Sequence, residues 1–377
     1  MVAGTKVGIV GNMLFPFNEA YANQARVLAE LFDAKVFTCN DIGWLPFKKF
    51  GRYFVVNSRF VMKRTPILSI LNGLLIYIAL KTFERKFDTI LLMAGIESEF
   101  LKSLNLERCV PLISTIDDES KLGNFVSEVA PKLKKIVVQS KKVRNKLISS
   151  GVDSSKIYFM YPIINANEFR YTNPPPLDDF RILFASAPNV ERQSENNFEA
   201  KGVPLLLKSF KDFIDEHPAT LYLLWRGKYI KELWSLIKKL GLEEKAIVVN
   251  KVVDMMEWYA KTHITVIPYI SSWRSPQLPL SALESLSCGR PVVTTDVIEL
   301  AEFIRVYKCG CVAKPLKKDF VMALKRCKVN YWKYQRNCRD LRKVMSTIKV
   351  WTILNLSLIH ISEPTRQRLS SYAVFCL

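Results

Sequence analysis

Two short stretches hold residue types suited to gripping a charged nucleotide. In the first, Lys201 and Gly202 open a helix expected over Lys201 to Glu216. A helix N-terminus offers unpaired N–H groups and the positive end of the peptide dipole, and a lysine adds a point charge. A cation is electrostatically misplaced there unless an anion joins it, so the pair reads as a diphosphate site. The polar loop before it, Pro188 to Ala200, supplies Arg192, either a second phosphate cation or a surface arginine. The second stretch is Leu283 to Asp296, Leu-Glu-Ser-Leu-Ser-Cys-Gly-Arg-Pro-Val-Val-Thr-Thr-Asp. Glu284 falls on a short helix expected over Leu280 to Ser287, among small and apolar neighbours. A partly buried carboxylate can accept two hydrogen bonds from a ribose diol. Pro279 suits the first helical position and leaves the N–H groups of Leu280 and Ser281 free to face an anion. A diphosphate grip and a diol grip together fit a nucleotide-sugar.

Other chemistries find less support. Before residue 356 the histidines are His217, after a helix, and His263, before a buried strand, so no histidine-based catalysis can be argued. No Asp-x-Asp follows a strand in a nucleotide-binding context. Lysine, arginine and helix N-termini can stabilise a leaving diphosphate, so neither an essential metal nor a cofactor is expected. The cysteines show no C-x-x-C pair. Cys309 and Cys311 flank one glycine; we read them as small core residues near a strand rather than ligands or a strained disulfide. A scattered, odd set before the tail points to a reducing compartment.

The elements that must position these residues alternate strand and helix, which predicts parallel sheets with crossovers. Strands are expected at Lys6–Val10, Lys35–Thr38, Asp88–Met93, Pro111–Thr115, Lys135–Gln139 and Lys156–Phe159, with helices at Asn18–Phe32 and Ser140–Ser150. Tyr171 to Asp179 contains three successive prolines, which extend neither a helix nor a central strand; it reads as an interdomain linker. A second series follows: strands at Phe180–Ala185, Ala219–Trp225, Ala246–Asn250, Ile264–Pro268 and Pro291–Thr294, and a helix at Tyr229–Leu240. The expected division is therefore 1–170, a linker 171–179, a nucleotide-sugar domain 180–325, and C-terminal helices over 326–355. Two Rossmann-like domains in series leave a cleft at the carboxyl ends of both sheets.

At this point the sequence resembles a family. Lys201-Gly202 with the apolar helix behind it, Leu221 to Gly227, Ile264 to Pro268 and Leu283 to Asp296 are similar to the retaining nucleotide-sugar glycosyltransferases of GT-B fold, in particular glycosyltransferase family 4. The opening Val7 to Gly11, and Lys135 to Gly151 leading to Tyr161–Phe169, match more weakly. The resemblance implies an α/β GT-B fold, with the first domain on the acceptor side. It implies that Lys201 contacts the donor diphosphate, Glu284 the ribose, and that Gly11 lies near the donor phosphate and the transferred sugar. The chain also departs from the pattern. Pro276 stands where the family often has a first glutamate, separated from the second by seven residues and facing the donor sugar. Asp117 occupies a frequent histidine position; it accepts a proton, binds sugar hydroxyls, or caps a loop. The arginine often preceding Lys-Gly is replaced by Ala185-Ser186-Ala187-Pro188, leaving Arg192, Arg226 or Arg274 as substitutes. The catalytic candidates are thus Asp117, Lys201 and Glu284. The donor-binding candidates are Gly11, Arg192, Lys201, Arg226, Arg274, Leu280, Ser281 and Glu284. The expected activity is sugar transfer from a nucleoside diphosphate sugar to a glycan or polyprenyl-linked acceptor. A non-catalytic GT-B nucleotide-sugar-binding subunit and a sugar-nucleotide epimerase are the alternatives.

The charge bears on partners. The formal net charge is +20, a field that favours anionic partners. Lys48 to Lys86 holds nine basic residues and one acid, Glu84, beside Trp44, Phe47, Phe50, Tyr53, Phe54 and Phe60. Lys132 to Lys146 adds six lysines and Arg144 with no acid. A basic, aromatic-rich surface next to an apolar stretch reads as peripheral attachment to an anionic membrane, or as a solvated basic face. No nucleic-acid recognition motif accompanies the charge. No signal peptide is evident, and Pro66 to Leu80, the longest apolar candidate, is interrupted by Ser69, Asn72 and Gly73. The expected location is cytoplasmic, on the inner face of the membrane. Finally, Leu356 to Leu377 has neither helical nor strand period and resembles the in-frame translation of a transposase-type sequencing adaptor, with Ser370 the one departure. We read it as non-native, and expect the true C-terminus to be missing.

Overall fold

The computed structural model describes residues 6–12, 14–15, 20–40, 47–57, 66–93, 95–96, 98, 100–116, 119–165, 167–186, 197–272 and 276–344. Asp117, Arg192, Arg274 and the segment 356–377 lie outside them. The described chain forms two sheets. The first has strands β1 (Val7–Asn12), β2 (Lys35–Asn40), β3 (Phe47–Phe50), β4 (Tyr53–Asn57), β5 (Thr89–Met93), β6 (Cys109–Ile113), β7 (Ile136–Val138) and β8 (Ile157–Phe159), in the order β3-β4-β2-β1-β5-β6-β7-β8. The second has β9 (Phe180–Ala185), β10 (Ala219–Leu224), β11 (Ala246–Val249), β12 (Ile264–Ile267), β13 (Val292–Thr295) and β14 (Gly310–Ala313), in the order β11-β10-β9-β12-β13-β14. Every pairing is parallel except β3 with β4. Strand β5, Thr-Ile-Leu-Leu-Met, at the centre of the first sheet, is buried at all five positions. That is the mark of a strand covered on both faces.

The antiparallel hairpin β3–β4 was not expected. Its sequence, Phe-Lys-Lys-Phe-Gly-Arg-Tyr-Phe-Val-Val-Asn, reads at first as a basic surface because β3 is an edge strand with exposed Lys48 and Lys49. Gly51 at φ 55° between two aromatic-containing runs was the turn signal. The helices Met255–Lys261, Leu300–Tyr307 and Lys317–Val329 and strand β14 were likewise unmarked. Strand β14 follows Cys309 and contains Cys311; both are buried and free, as core residues.

Adjacent residues of the crossover belong to different cores. Ile163 packs with Met160, Val137 and Ile9 under the first sheet. Ile164 packs with Leu278, Leu280 and Phe303 under the second. Downstream, the chain is fastened to the second sheet. Ser287 Oγ donates to the Phe169 carbonyl at 2.6 Å. Arg290 is fully buried, and its guanidinium holds the Thr172 carbonyl (2.9 Å), Thr172 Oγ1 (2.7 Å) and the Asn173 carbonyl (3.1 Å). His263 accepts from the Arg181 N–H at Nδ1 (2.8 Å), which leaves Nε2 to donate to the Pro175 carbonyl (3.0 Å). The proline-rich stretch is therefore seam rather than free tether along these contacts. Helix Tyr331–Val344 packs on the second sheet: Tyr331 in its main core, Cys338 and Leu341 in one cluster with Leu283 and Phe303.

Candidate functional site

In each sheet the strand order reverses direction at one point, and ligands of open α/β sheets bind in the crevice beyond it. In the second sheet that point lies between β9 and β12. Lys201 and Gly202 follow the loop after β9, and the segment Pro268–Pro279 follows β12. Gly202 locks them together. It sits at φ 70°, and a Cβ there would lie 1.8 Å from the Pro268 carbonyl oxygen. Only glycine fits both the left-handed backbone and the close approach. The Ile270 N–H donates to the Ala200 carbonyl at 3.0 Å, closing the other side of Lys201. The regular helix then runs Val203–Ile214, with Gly202 as its N-cap. It starts two residues later than expected because Gly202 cannot be helical at that φ.

The Lys201 ammonium lies 4.4 Å from the Tyr269 ring centroid and 3.2 Å from its hydroxyl. It has no ion-pair partner among the described residues. Tyr269 packs in the same apolar cluster as Leu278, Leu280 and Leu283, so one aromatic ring joins the lysine to the second half of the site. Sequence reasoning passed over Tyr269; the signal was an aromatic one residue beyond the strand end at Pro268.

The second half is helix Leu280–Ser287. Pro279 is its N-cap, at φ −59° and ψ 132°, one position before the one expected. Its carbonyl accepts from Ala282 (3.0 Å) and Leu283 (3.3 Å). That leaves the N–H groups of Leu280 and Ser281 without a partner among the described residues. One turn on, Glu284 is 5% exposed. The Tyr259 hydroxyl donates to its Oε2 at 2.9 Å and to the Ser281 carbonyl at 3.0 Å. Burial pushes the Glu284 carboxyl up to about 7; the Tyr259 hydrogen bond works against that, and Glu168 adds to it. Tyr259 is raised well above its usual range by burial, then by the Glu284 charge, so it stays a donor. Oε1 is left for another donor. The expected partner for Glu284 is thus present, and it is a tyrosine.

In the first sheet the reversal falls between β1 and β5. Gly11, near the end of β1, pairs there with Met93. A Cβ on Gly11 would lie 2.7 Å from the Met93 carbonyl oxygen and 3.0 Å from a Leu14 methyl. Arg226 follows the end of β10, two residues beyond Leu224, and is partly buried. The structure therefore sets Lys201 against Tyr269, places Leu280 in the apolar cluster of Tyr269, and joins Ser281 and Glu284 through the Tyr259 hydroxyl; Arg226 lies one strand over from β9, and Gly11 at the matching position of the other sheet.

Residues 193–328 match the family described as glycosyl transferases group 1. The whole chain has structural counterparts in the same class. Sucrose-phosphate synthase from Thermosynechococcus elongatus superposes with a TM-score of 0.71 at 13% identity, over 94% of this chain and 98% of that one. Anabaena HepE, in complex with UDP and glucose, gives 0.70 at 14% identity, over 94% and 100%. WaaG, a glycosyltransferase involved in lipopolysaccharide biosynthesis, gives 0.64 at 14%, over 94% and 99%. The chain has the glycosyltransferase GT-B fold. No curated protein matches it in sequence. In this GT-B chain the matched stretch spans the loop before Lys201 through helix Lys317–Val329, and so holds every donor-side candidate beyond Arg192 as well as Tyr259 and Tyr269.

Arg290, in the Gly-Arg-Pro turn, has a structural task instead. Besides the seam contacts it donates to the carbonyls of Tyr259 (2.7 Å) and Cys288 (3.1 Å). With the Ala260 carbonyl at 3.5 Å, six oxygens surround one guanidinium with no carboxylate among them. Burial lowers its pKa, but an arginine stays charged in proteins.

Proposed function

We propose that this protein is a retaining, metal-independent glycosyltransferase that moves a sugar from a nucleoside diphosphate sugar to a glycan or lipid-linked acceptor. The observation that supports it best is the convergence at the reversal point of the second sheet. Among the described residues, a cation without a counter-ion against Tyr269, two N–H groups without partners at the start of helix Leu280–Ser287 and a buried carboxylate with one oxygen to spare follow the two strands that flank that point. The Lys201 ammonium and the Leu280 and Ser281 N–H groups neutralise charge that develops on the leaving diphosphate, in fixed positions that need no reorganisation. Glu284 Oε1 accepts from the ribose diol while Tyr259 holds its orientation. Closure of the first domain over the donor excludes water and suppresses hydrolysis. Gly11 brings the end of β1 close to the transferred sugar without a side chain in the way.

Because HepE is seen with UDP and with UDP-glucose, UDP is the first nucleotide to test. Thermal unfolding of the chain with UDP, GDP, ADP and CMP identifies the base. A ligand at one hundred times its dissociation constant adds about 2.7 kcal/mol of stability. The shift disappears in the Lys201→Ala, Glu284→Ala double variant if the reading is correct; a shift retained in full sinks it. Donor turnover unaffected by EDTA fits metal independence. Pro276, where a sugar-facing glutamate is common, keeps a non-catalytic subunit as the second reading, and donor binding without any turnover would favour it.

The acceptor side fits a membrane. Phe47, Leu74, Leu75, Tyr77 and Ile78 are exposed large hydrophobics near the sheet edge, beside Lys48, Lys49 and Lys81. Phe47 stacks on Phe54, which packs against Phe37 with Ile76 and Phe83 of helix Pro66–Glu84. Exposed apolar side chains interspersed in sequence with lysines suit the interface of an anionic bilayer. No described helix is long and apolar enough to cross a membrane.

A further inference from the structure

The two domains meet at one polar contact of unusual completeness. Helix Lys141–Ser149 of the first domain begins at the end of β7, with Ser140 as N-cap. A helix start leaves four N–H groups without intrahelical partners. Of the three that lie within the helix, Val143 N–H donates to Ser140 Oγ at 3.0 Å; the regular ladder begins with Arg144 N–H on the Ser140 carbonyl at 3.0 Å. The remaining two, on Lys141 (2.8 Å) and Lys142, donate to the carboxylate of Glu299, beyond β13 of the second domain. Ser140 Oγ donates to the same carboxylate at 2.7 Å. Lys141 Nζ pairs with Glu302 at 3.0 Å, and Lys142 Nζ donates to the Val297 carbonyl at 3.0 Å. Glu299 thus supplies, from the other domain, the anion that a helix N-terminus favours.

The same residue reaches the donor half of the site. Its N–H donates to Gln277 Oε1 at 3.3 Å, and the Leu300 N–H donates to the Gln277 carbonyl at 3.0 Å. Gln277 is buried and two residues before Pro279, the cap of the helix whose Leu280 and Ser281 N–H groups face the diphosphate. The crossover lies alongside: Tyr161 stacks edge-on against Phe303 at 5.6 Å, on the helix that begins with Leu300. Contacts next to a crossover move least when two domains rotate.

We propose that Glu299 is a positioning residue: the pivot on which the first domain is oriented, and the link that carries this orientation through Gln277 to the donor-binding N–H pair. This rests on the donor reading above for its second half only. A carboxylate is required because three donors converge on it. A glutamine of the same size turns an NH2 group toward N–H groups that also donate.

The test compares wild type, Glu299→Gln and Glu299→Ala with Glu302→Gln, which removes a partly exposed ion pair from the same interface. Small-angle X-ray scattering of the unliganded chain reads domain arrangement, and calorimetric titration with UDP reads the donor site. Both Glu299 variants are expected to scatter as a broader, more open distribution, and to bind UDP about tenfold more weakly, with Glu302→Gln unchanged in both. Scattering identical to wild type would overturn the pivot. Opened scattering with unchanged UDP affinity would overturn the link to the donor helix. A fall in melting temperature alone, without either change, assigns Glu299 a merely structural role and also counts against the proposal. Should wild type bind none of the nucleotides, the donor reading fails, while scattering still judges the pivot.

Discussion

At neutral pH Glu284 is poised between its two protonation states, because burial pushes its carboxyl up to about 7 while the Tyr259 hydroxyl holds one oxygen. The ordinary glutamate value is 4.5. Between that value and 7 the folded chain binds more protons here than the unfolded chain, so this group's contribution to stability falls as pH rises through the window. Nucleotide affinity moves the opposite way, since the ionised carboxylate is the better acceptor for a ribose diol. UDP binding measured from pH 5.5 to 8 is expected to tighten with rising pH, and Glu284→Gln to flatten the profile; an unchanged profile in the variant removes Glu284 as its cause. Lys201→Ala is expected to lower turnover by about 10²–10³-fold, the scale of losing one preorganised charge stabiliser. Lys201→Arg should recover only part, because the guanidinium does not reproduce the compact ammonium over Tyr269. Lys201 and Glu284 were legible from residue type and place on a helix. Tyr259 and Tyr269 were not. Their side chains meet the site from other elements, and a single aromatic in a sequence says nothing of its direction.

Elements explain why these few side chains converge. Gly202 lets the chain after β9 lie against the end of β12, and Gly202→Ala is expected to cost about 3 kcal/mol or more, because the left-handed φ and the Pro268 carbonyl both oppose a Cβ. Denaturant unfolding measures it, and a near-neutral result would mean the two segments separate easily. Arg290→Lys should lose most of what Arg290→Met loses, about 3 kcal/mol, since one ammonium cannot reach the Tyr259, Cys288, Thr172 and Asn173 oxygens together. The alternation of strand and helix, and the strands β5, β9 and β12, could be read directly, because a strand covered on both faces is a short, mainly apolar run. The short helices Met255–Lys261 and Leu300–Tyr307 could not. Seven or eight residues hold too few turns for their period to stand out, and their form is fixed by packing on strands already in place.

At the scale of the molecule the charge is the dominant fact, and it predicts behaviour at surfaces. With vesicles containing anionic phosphatidylglycerol the chain is expected to co-sediment, and to release as salt is raised. Leu75→Glu with Ile78→Glu should weaken the association roughly tenfold by removing apolar side chains from the interface, with UDP binding intact. Association that ignores both salt and these substitutions would exclude this face. The charge itself was plain in the sequence, whereas the stacking of exposed Phe47 on Phe54 depends on a hairpin that was not.

The fastening of residues Phe169–Pro175 to the second sheet has a consequence for inheritance as much as for motion. Phe169 sits in a core with Leu183, Leu224 and Tyr259, and Tyr171 receives Arg339 both at its hydroxyl, 2.9 Å, and over its ring. These contacts fasten Phe169 and Tyr171 to the described residues of the second sheet and its last helix, upstream of which the chain passes through Ile164 to the first sheet. A gene rearrangement cutting there would transplant the nucleotide half whole, seam included, onto a different partner half. New acceptors would then be reached by exchange of modules rather than by slow repair of a broken junction.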